Sequence, residues 1–108
     1  MMKVNFFHLI LFLGNTVPFI AVQHDLLDFL KFLHGKGYDL KKARKGNVTL
    51  IHLAVSNGNV EMMDYLINQG VSVTTESEDL GAPLEWAIAY SQVAAAKFLF
   101  SKGCKMSN

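Results

Sequence analysis

The side chains able to do chemistry in this sequence are few: four His, one Cys and nine Asp or Glu. His24 and Asp28 stand four residues apart, a spacing that puts both on one helix face and suits a pair of metal ligands or a proton relay. A structural metal takes about four ligands, and no third donor follows, so the pair reads as solvent-facing. Cys104 is the single cysteine. It can close no internal disulfide, and the Cys-x-x-Cys and Cys/His spacings of zinc sites are absent. The chain therefore needs no oxidising compartment, and a reducing interior, cytoplasmic or nuclear, suits it. No histidine stands in a motif that would activate the thiol. No glycine-rich phosphate loop follows a strand pattern, and neither a serine nucleophile elbow nor a metalloprotease helix is present. The expectation is a protein with no catalytic residues, no cofactor and no metal.

Charge is the second kind of chemistry on offer. Glu76, Glu78, Asp79 and Glu85 gather acid in a short stretch, and paired carboxylates can serve acid–base work. In a polar connection they read first as a solvated loop and second as an electrostatic contact surface. Lys41-Lys42-Ala43-Arg44-Lys45 is the mirror case, a basic run suited to an acidic partner. The net charge of +1 conceals this asymmetry: residues 1–45 carry seven Lys or Arg against three Asp, residues 46–108 three Lys against six acids. Neither half is basic enough to argue for nucleic acid, and nothing near the basic run suggests a groove-entering helix or stacked aromatics. Trp86 and Tyr90, four residues apart, share a helix face; Trp86 is expected inside and Tyr90 exposed as a contact anchor.

These residues must be positioned by a chain of 108 residues, 51% of them hydrophobic and 18% charged, which fits a compact single-domain protein. Its organisation is a repeat. Ala21, Ala54 and Ala87 are spaced by 33, as are Gly37, Gly70 and Gly103. Phe32, Tyr65 and Phe98 keep the same offset, followed by Leu33, Leu66 and Leu99, and by Val22, Val55 and Ile88. Each copy has a short apolar segment (Pro18–Gln23, Leu50–Asn57, Pro83–Tyr90) and a break at Asp25, Gly58-Asn59 or Ser91-Gln92. A second segment follows with apolar residues at helical spacing, such as Leu26, Leu27, Leu30 and Leu33, or Val93, Ala96, Leu99 and Phe100. It closes on a Gly where a helix end takes a left-handed residue. The unit is helix, turn, helix, extended connection.

The middle copy, Gly46-Asn47-Val48-Thr49-Leu50-Ile51-His52-Leu53-Ala54 with Asn57-Gly58-Asn59-Val60-Glu61 and Tyr65-Leu66-Ile67-Asn68-Gln69-Gly70, closely resembles the ankyrin repeat and its Thr-Pro-Leu-His-x-Ala signature. Gly81-Ala82-Pro83-Leu84-Glu85-Trp86-Ala87 resembles a third copy that keeps Pro-Leu and Ala but has lost Thr and His. Gly14-Asn15-Thr16-Val17-Pro18-Phe19-Ile20-Ala21 resembles a degenerate first one. In 33-residue units the repeats fall at 11–43, 44–76 and 77–108. The resemblance implies an all-α solenoid of helix-turn-helix units with hairpin-like finger loops. It also implies that His52 joins finger to helix by hydrogen bonds. Its function would be that of a non-catalytic adaptor or scaffold, whose finger tips and first helices bind another protein on a concave face. Carried onto this chain, the contact residues are Gln23 and His24 in the first copy and Lys45, Val48, Ser56 and Asn57 in the middle one. Glu76, Glu78, Asp79, Ala89 and Tyr90 complete the set in the last.

The ends raise a separate question. Repeat arrays close on units with polar outer faces, yet this chain opens on Phe6-Phe7-His8-Leu9-Ile10-Leu11-Phe12-Leu13 and its last helix carries Phe98, Leu99 and Phe100. Three readings stay open: a piece of a longer array, an apolar makeshift cap formed by residues 1–13, or a signal or membrane anchor within residues 4–24. Against the anchor, Asn5, His8, Gly14, Asn15, Thr16 and Pro18 interrupt the run, and no small-x-small cleavage site follows it. The apolar ends also make self-association an expectation.

Overall fold

The computed structural model describes residues 16–105. Six helices follow one another in pairs: α1 (Thr16–Gln23) and α2 (Leu27–Gly35), α3 (Leu50–Ser56) and α4 (Val60–Asn68), α5 (Pro83–Ala89) and α6 (Val93–Ser101). The described residues hold no strands, only two isolated antiparallel bridges, Arg44 with Val48 and Ser77 with Gly81, one in each finger. The architecture is therefore the expected all-helical solenoid, with segment boundaries within two residues of those read from the pattern.

Every copy turns in the same way because one backbone geometry recurs at the repeat offset. Asp25, Gly58 and Ser91 are left-handed, with φ of 59°, 69° and 56°. Past each, the next N–H donates to the carbonyl of the repeat alanine: Leu26 to Ala21 at 2.8 Å, Asn59 to Ala54 at 3.0 Å, Gln92 to Ala87 at 2.8 Å. The end of each second helix repeats the device at Gly37, Gly70 and Gly103, after which Tyr38, Val71 and Cys104 donate back to Leu33, Leu66 and Leu99. These closures satisfy carbonyls that a helix end would otherwise leave without partners. Gly58 has a further reason to lack a side chain, since a Cβ there would collide with the amide of Gln92.

The first helices stack on one another from copy to copy, and each packs on its own second helix. Ala21, Ala54 and Ala87 are buried where the stacked helices come together. Leu30, Leu33, Met63, Leu66 and Leu99 fill the layer between first and second helices. Leu26, Val93 and Phe100, which the helical pattern grouped with the core, are instead exposed, because they sit on the two end faces of the stack. Between copies the joints are clasped by polar side chains. The Asn57 amide donates to the carbonyls of Val22 (3.1 Å) and Gln23 (3.0 Å), and the Gln92 amide donates to the carbonyl of Ser56 (2.8 Å).

Residues 1–15 lie outside the described part, and with them the proposed cap and most of the 4–24 segment. Within that segment Ala21 and Val22 are fully buried. Among the described residues no helix is long and apolar enough to cross a membrane.

Candidate functional site

The fingers and the first helices face each other, and His52 and Trp86 fix the angle between them. His52 is fully buried. Its Nδ1 accepts the Thr49 N–H at 2.9 Å, so the ring proton resides on Nε2, which donates to the carbonyls of Thr75 at 2.9 Å and Gly81 at 3.2 Å. One imidazole thus ties the start of α3 to both sides of the following finger, the structural role the motif implied. Burial pushes its pKa below the ordinary histidine value; the two carbonyls and the charge of Asp79 oppose this without reversing it.

Trp86 braces the same finger from the last copy. Its Nε1–H donates to Ser77 Oγ at 2.9 Å, and its ring lies 5.0 Å from that of His52. Tyr90, half exposed, stacks on Trp86 with centroids 5.8 Å apart. The buried indole and exposed phenol are disposed as the sequence suggested.

Not every expected contact residue is available. Val48 is only 6% exposed: it is the inward half of the bridge with Arg44, so its side chain belongs to the core and not to the surface. Asn57 is exposed, but its amide is engaged by Val22, Gln23 and Asp25, and Ser56 donates to the carbonyl of Leu53. Asn57 thus holds the first and middle copies together, while the Ser56 hydroxyl is engaged within its own helix. The His24–Asp28 pair also fails as a shared helix face: α1 ends at Gln23 and α2 begins at Leu27, so a turn separates them. Among the described residues no group of three or more His, Cys, Asp or Glu is gathered as for a metal.

Gln23, His24, Lys45, Glu76, Glu78, Asp79, Ala89 and Tyr90 are exposed. Lys45 and Glu78 occupy equivalent places in successive fingers, 33 residues apart, so the surface changes sign from one finger to the next. The fingers are joined by one main-chain bond, from Glu78 N–H to the Gly46 carbonyl at 2.8 Å, and by the Asn47 side-chain amide, which donates to the Glu76 carbonyl at 2.9 Å. Asp79 Oδ1 accepts from Ser77 Oγ and the Leu80 N–H, both at 2.8 Å, and these bonds hold its carboxyl below the usual range. Sequence reasoning missed Ile20, which is 45% exposed one helical turn before the expected contact residue Gln23 and stands at the repeat position of Trp86. The 33-residue offset was the signal that could have found it.

A family model described as ankyrin repeats, three copies, matches residues 19–108. The chain is 32% identical over 88 residues to palmitoyltransferase ZDHHC17 of Danio rerio, and 33% identical over 88 residues to putative palmitoyltransferase ZDHHC13 of the same fish. Those stretches take in 81% of this chain but 14% of each relative, so the chain spans about one seventh of their length. The human ASB11 ankyrin repeat domain superposes with a TM-score of 0.76 at 23% identity, covering 84% of this chain and 41% of that one, which supports the fold. With three in-register copies, their closures and their fingers accounted for, the chain belongs to the ankyrin repeat family.

Proposed function

We propose that this chain is a non-catalytic adaptor or scaffold, of the cytoplasm or nucleus, that holds a partner protein between its fingers and first helices. Ankyrin repeats are protein-interaction modules, which supports the general reading. The observation that carries the finer one is Tyr90: a half-exposed ring held in place by stacking on a buried, hydrogen-bonded Trp86. An aromatic ordered before binding loses little freedom on contact and is a common anchor of interfaces. Around it stand Ala89, Gln23, His24 and the charged tips Lys45, Glu76, Glu78 and Asp79, none of which serves the core. Alternating charge along the tips steers a partner of complementary pattern and fixes its register.

A photo-crosslinker at Tyr90 identifies the partner, and titration with the purified partner measures affinity. Tyr90→Ala is expected to weaken binding about tenfold or more, with Lys45→Ala acting mainly on the association rate and its salt dependence. Unchanged affinity in both variants removes this surface from consideration.

The relatives favour a second, wider reading in which the module serves a palmitoyltransferase, in the same polypeptide or beside it. Sequencing the complete transcript tests it: an open frame without an acyltransferase region, with no such enzyme co-purifying, defeats it. Residues 4–24 as a signal or anchor remain the alternative for location; a reporter carrying them that stays cytosolic excludes it.

A further inference from the structure

The aromatic column Phe32, Tyr65 and Phe98 runs along the second helices α2, α4 and α6, and a lysine ammonium lies over each of its rings. Lys36 covers Phe32 at 5.4 Å, Lys31 covers Tyr65 at 5.5 Å and Lys102 covers Phe98 at 5.2 Å. The middle copy has Asp64 and Gln69 where the last copy has Lys97 and Lys102, so it brings no lysine of its own. The first copy supplies two. Lys31 reaches across to the Tyr65 ring, and the Lys41 ammonium lies against Gly70, 3.1 Å from where a Cβ would stand. The acids beside them are already engaged: Asp64 is half-buried and accepts from the Asn68 amide, and Asp39 accepts from the Lys41 N–H.

Charge is sorted in the same way through the described chain. The outer turns of the second helices and the turns that follow them, residues 31–42, 64–75 and 97–105, hold seven Lys against two Asp. The remaining described residues hold Arg44 and Lys45 against seven Asp or Glu. A chain of almost no net charge therefore has one basic edge, and a field of that form turns this edge toward a negative surface.

We propose that the edge docks on an anionic bilayer surface, its lysines among phosphatidylserine headgroups. The cations of the row are all lysines, hydrated point charges on flexible stems, which answer to charge spread over a surface; recognition of individual phosphates favours the arginine fork. They are strung along the stack with the rings beneath them, and lysine stems and aromatic rings are side chains that settle at headgroup level. The lysines also lie over ring faces that a nucleic-acid base would need for stacking. None of these lysines belongs to the contact set of the fingers and first helices, so the proposal is independent of that surface and leaves it open to a partner.

Flotation of the full chain with vesicles of phosphatidylcholine and phosphatidylserine, and with vesicles of phosphatidylcholine alone, tests this. The wild type is expected to float with the anionic vesicles only and to be released by added salt. Lys31→Gln, Lys97→Gln and Lys102→Gln are each expected to lower the partition coefficient about fivefold, and the three together about a hundredfold, with unchanged circular dichroism. Arg44→Gln, which removes the same charge from a finger, should leave it nearly unchanged. Equal binding to both kinds of vesicle, or a triple variant that floats as the wild type does, overturns the proposal and gives the association to the apolar residues within 4–24. A wild type that ignores both vesicles also overturns it; retention on poly-glutamate that the triple variant loses would then give the edge to an acidic protein.

Discussion

His52 Nε2 lies 2.9 Å from the carbonyl oxygen of Thr75, across 23 residues of chain, and through it the middle helix pair holds the finger of the following copy. Because Nδ1 already accepts an N–H, a second ring proton would face a donor, and the neutral imidazole is the form that fits.

A pH dependence follows. The folded-state pKa of His52 lies below its ordinary 6.5, so between the two values the unfolded chain binds a proton that the folded chain refuses. Stability is complete above pH 6.5 and declines as the pH falls below it. Urea unfolding at pH 7.5, 6.5 and 5.5 should show this decline, and His52→Gln should flatten it while lowering stability at every pH.

Ser77→Ala leaves the Trp86 indole N–H without its acceptor in a buried place. The expected loss is about 1–3 kcal/mol. Since Trp86 is the single tryptophan, its emission reports the loosened finger directly, as greater quenching by iodide.

Ser91 holds a left-handed backbone at φ 56° where Gly58 stands in the middle copy. Ser91→Gly should stabilise the chain by about 1 kcal/mol, because a side chain in that conformation is strained by roughly 1–2 kcal/mol. Thermal melting checks this. The reverse change, Gly58→Ser, should destabilise more strongly, since its Cβ would press on the Gln92 amide.

Asn57→Ala separates a clasp from a contact residue. It removes donors to Val22 and Gln23 and is expected to cost about 1–2 kcal/mol of stability. Partner affinity measured well below the melting temperature should change little. Loss of affinity at unchanged stability would return Asn57 to the contact set.

The fold was legible because its punctuation is local: Gly37, Gly70, Gly103 and the three alanines mark turns and close approaches that few other residues satisfy. The buried Trp86 and exposed Tyr90 also followed from their places in the repeat, Tyr90 beside the break, as did the linking role of His52 from its place in the motif. What did not follow was the fate of residues whose surroundings come from another copy. Val48 sits in a loop by sequence yet folds inward through its bridge with Arg44, and Asn57 looks free until the carbonyls of Val22 and Gln23 are placed beside it. Phe100 reads as core by periodicity and lies on an end face, since periodicity gives the side of a helix and not whether anything covers it.

The bond from Glu78 N–H to the Gly46 carbonyl joins one finger to the next without using a side chain of either tip. Lys45 and Glu78 can therefore be exchanged, reversed in sign or replaced by aromatics while the hairpins keep their spacing. Mutation can rewrite what the tips recognise at little cost to folding, so a library randomised at these two positions would consist largely of folded proteins and be limited by recognition alone.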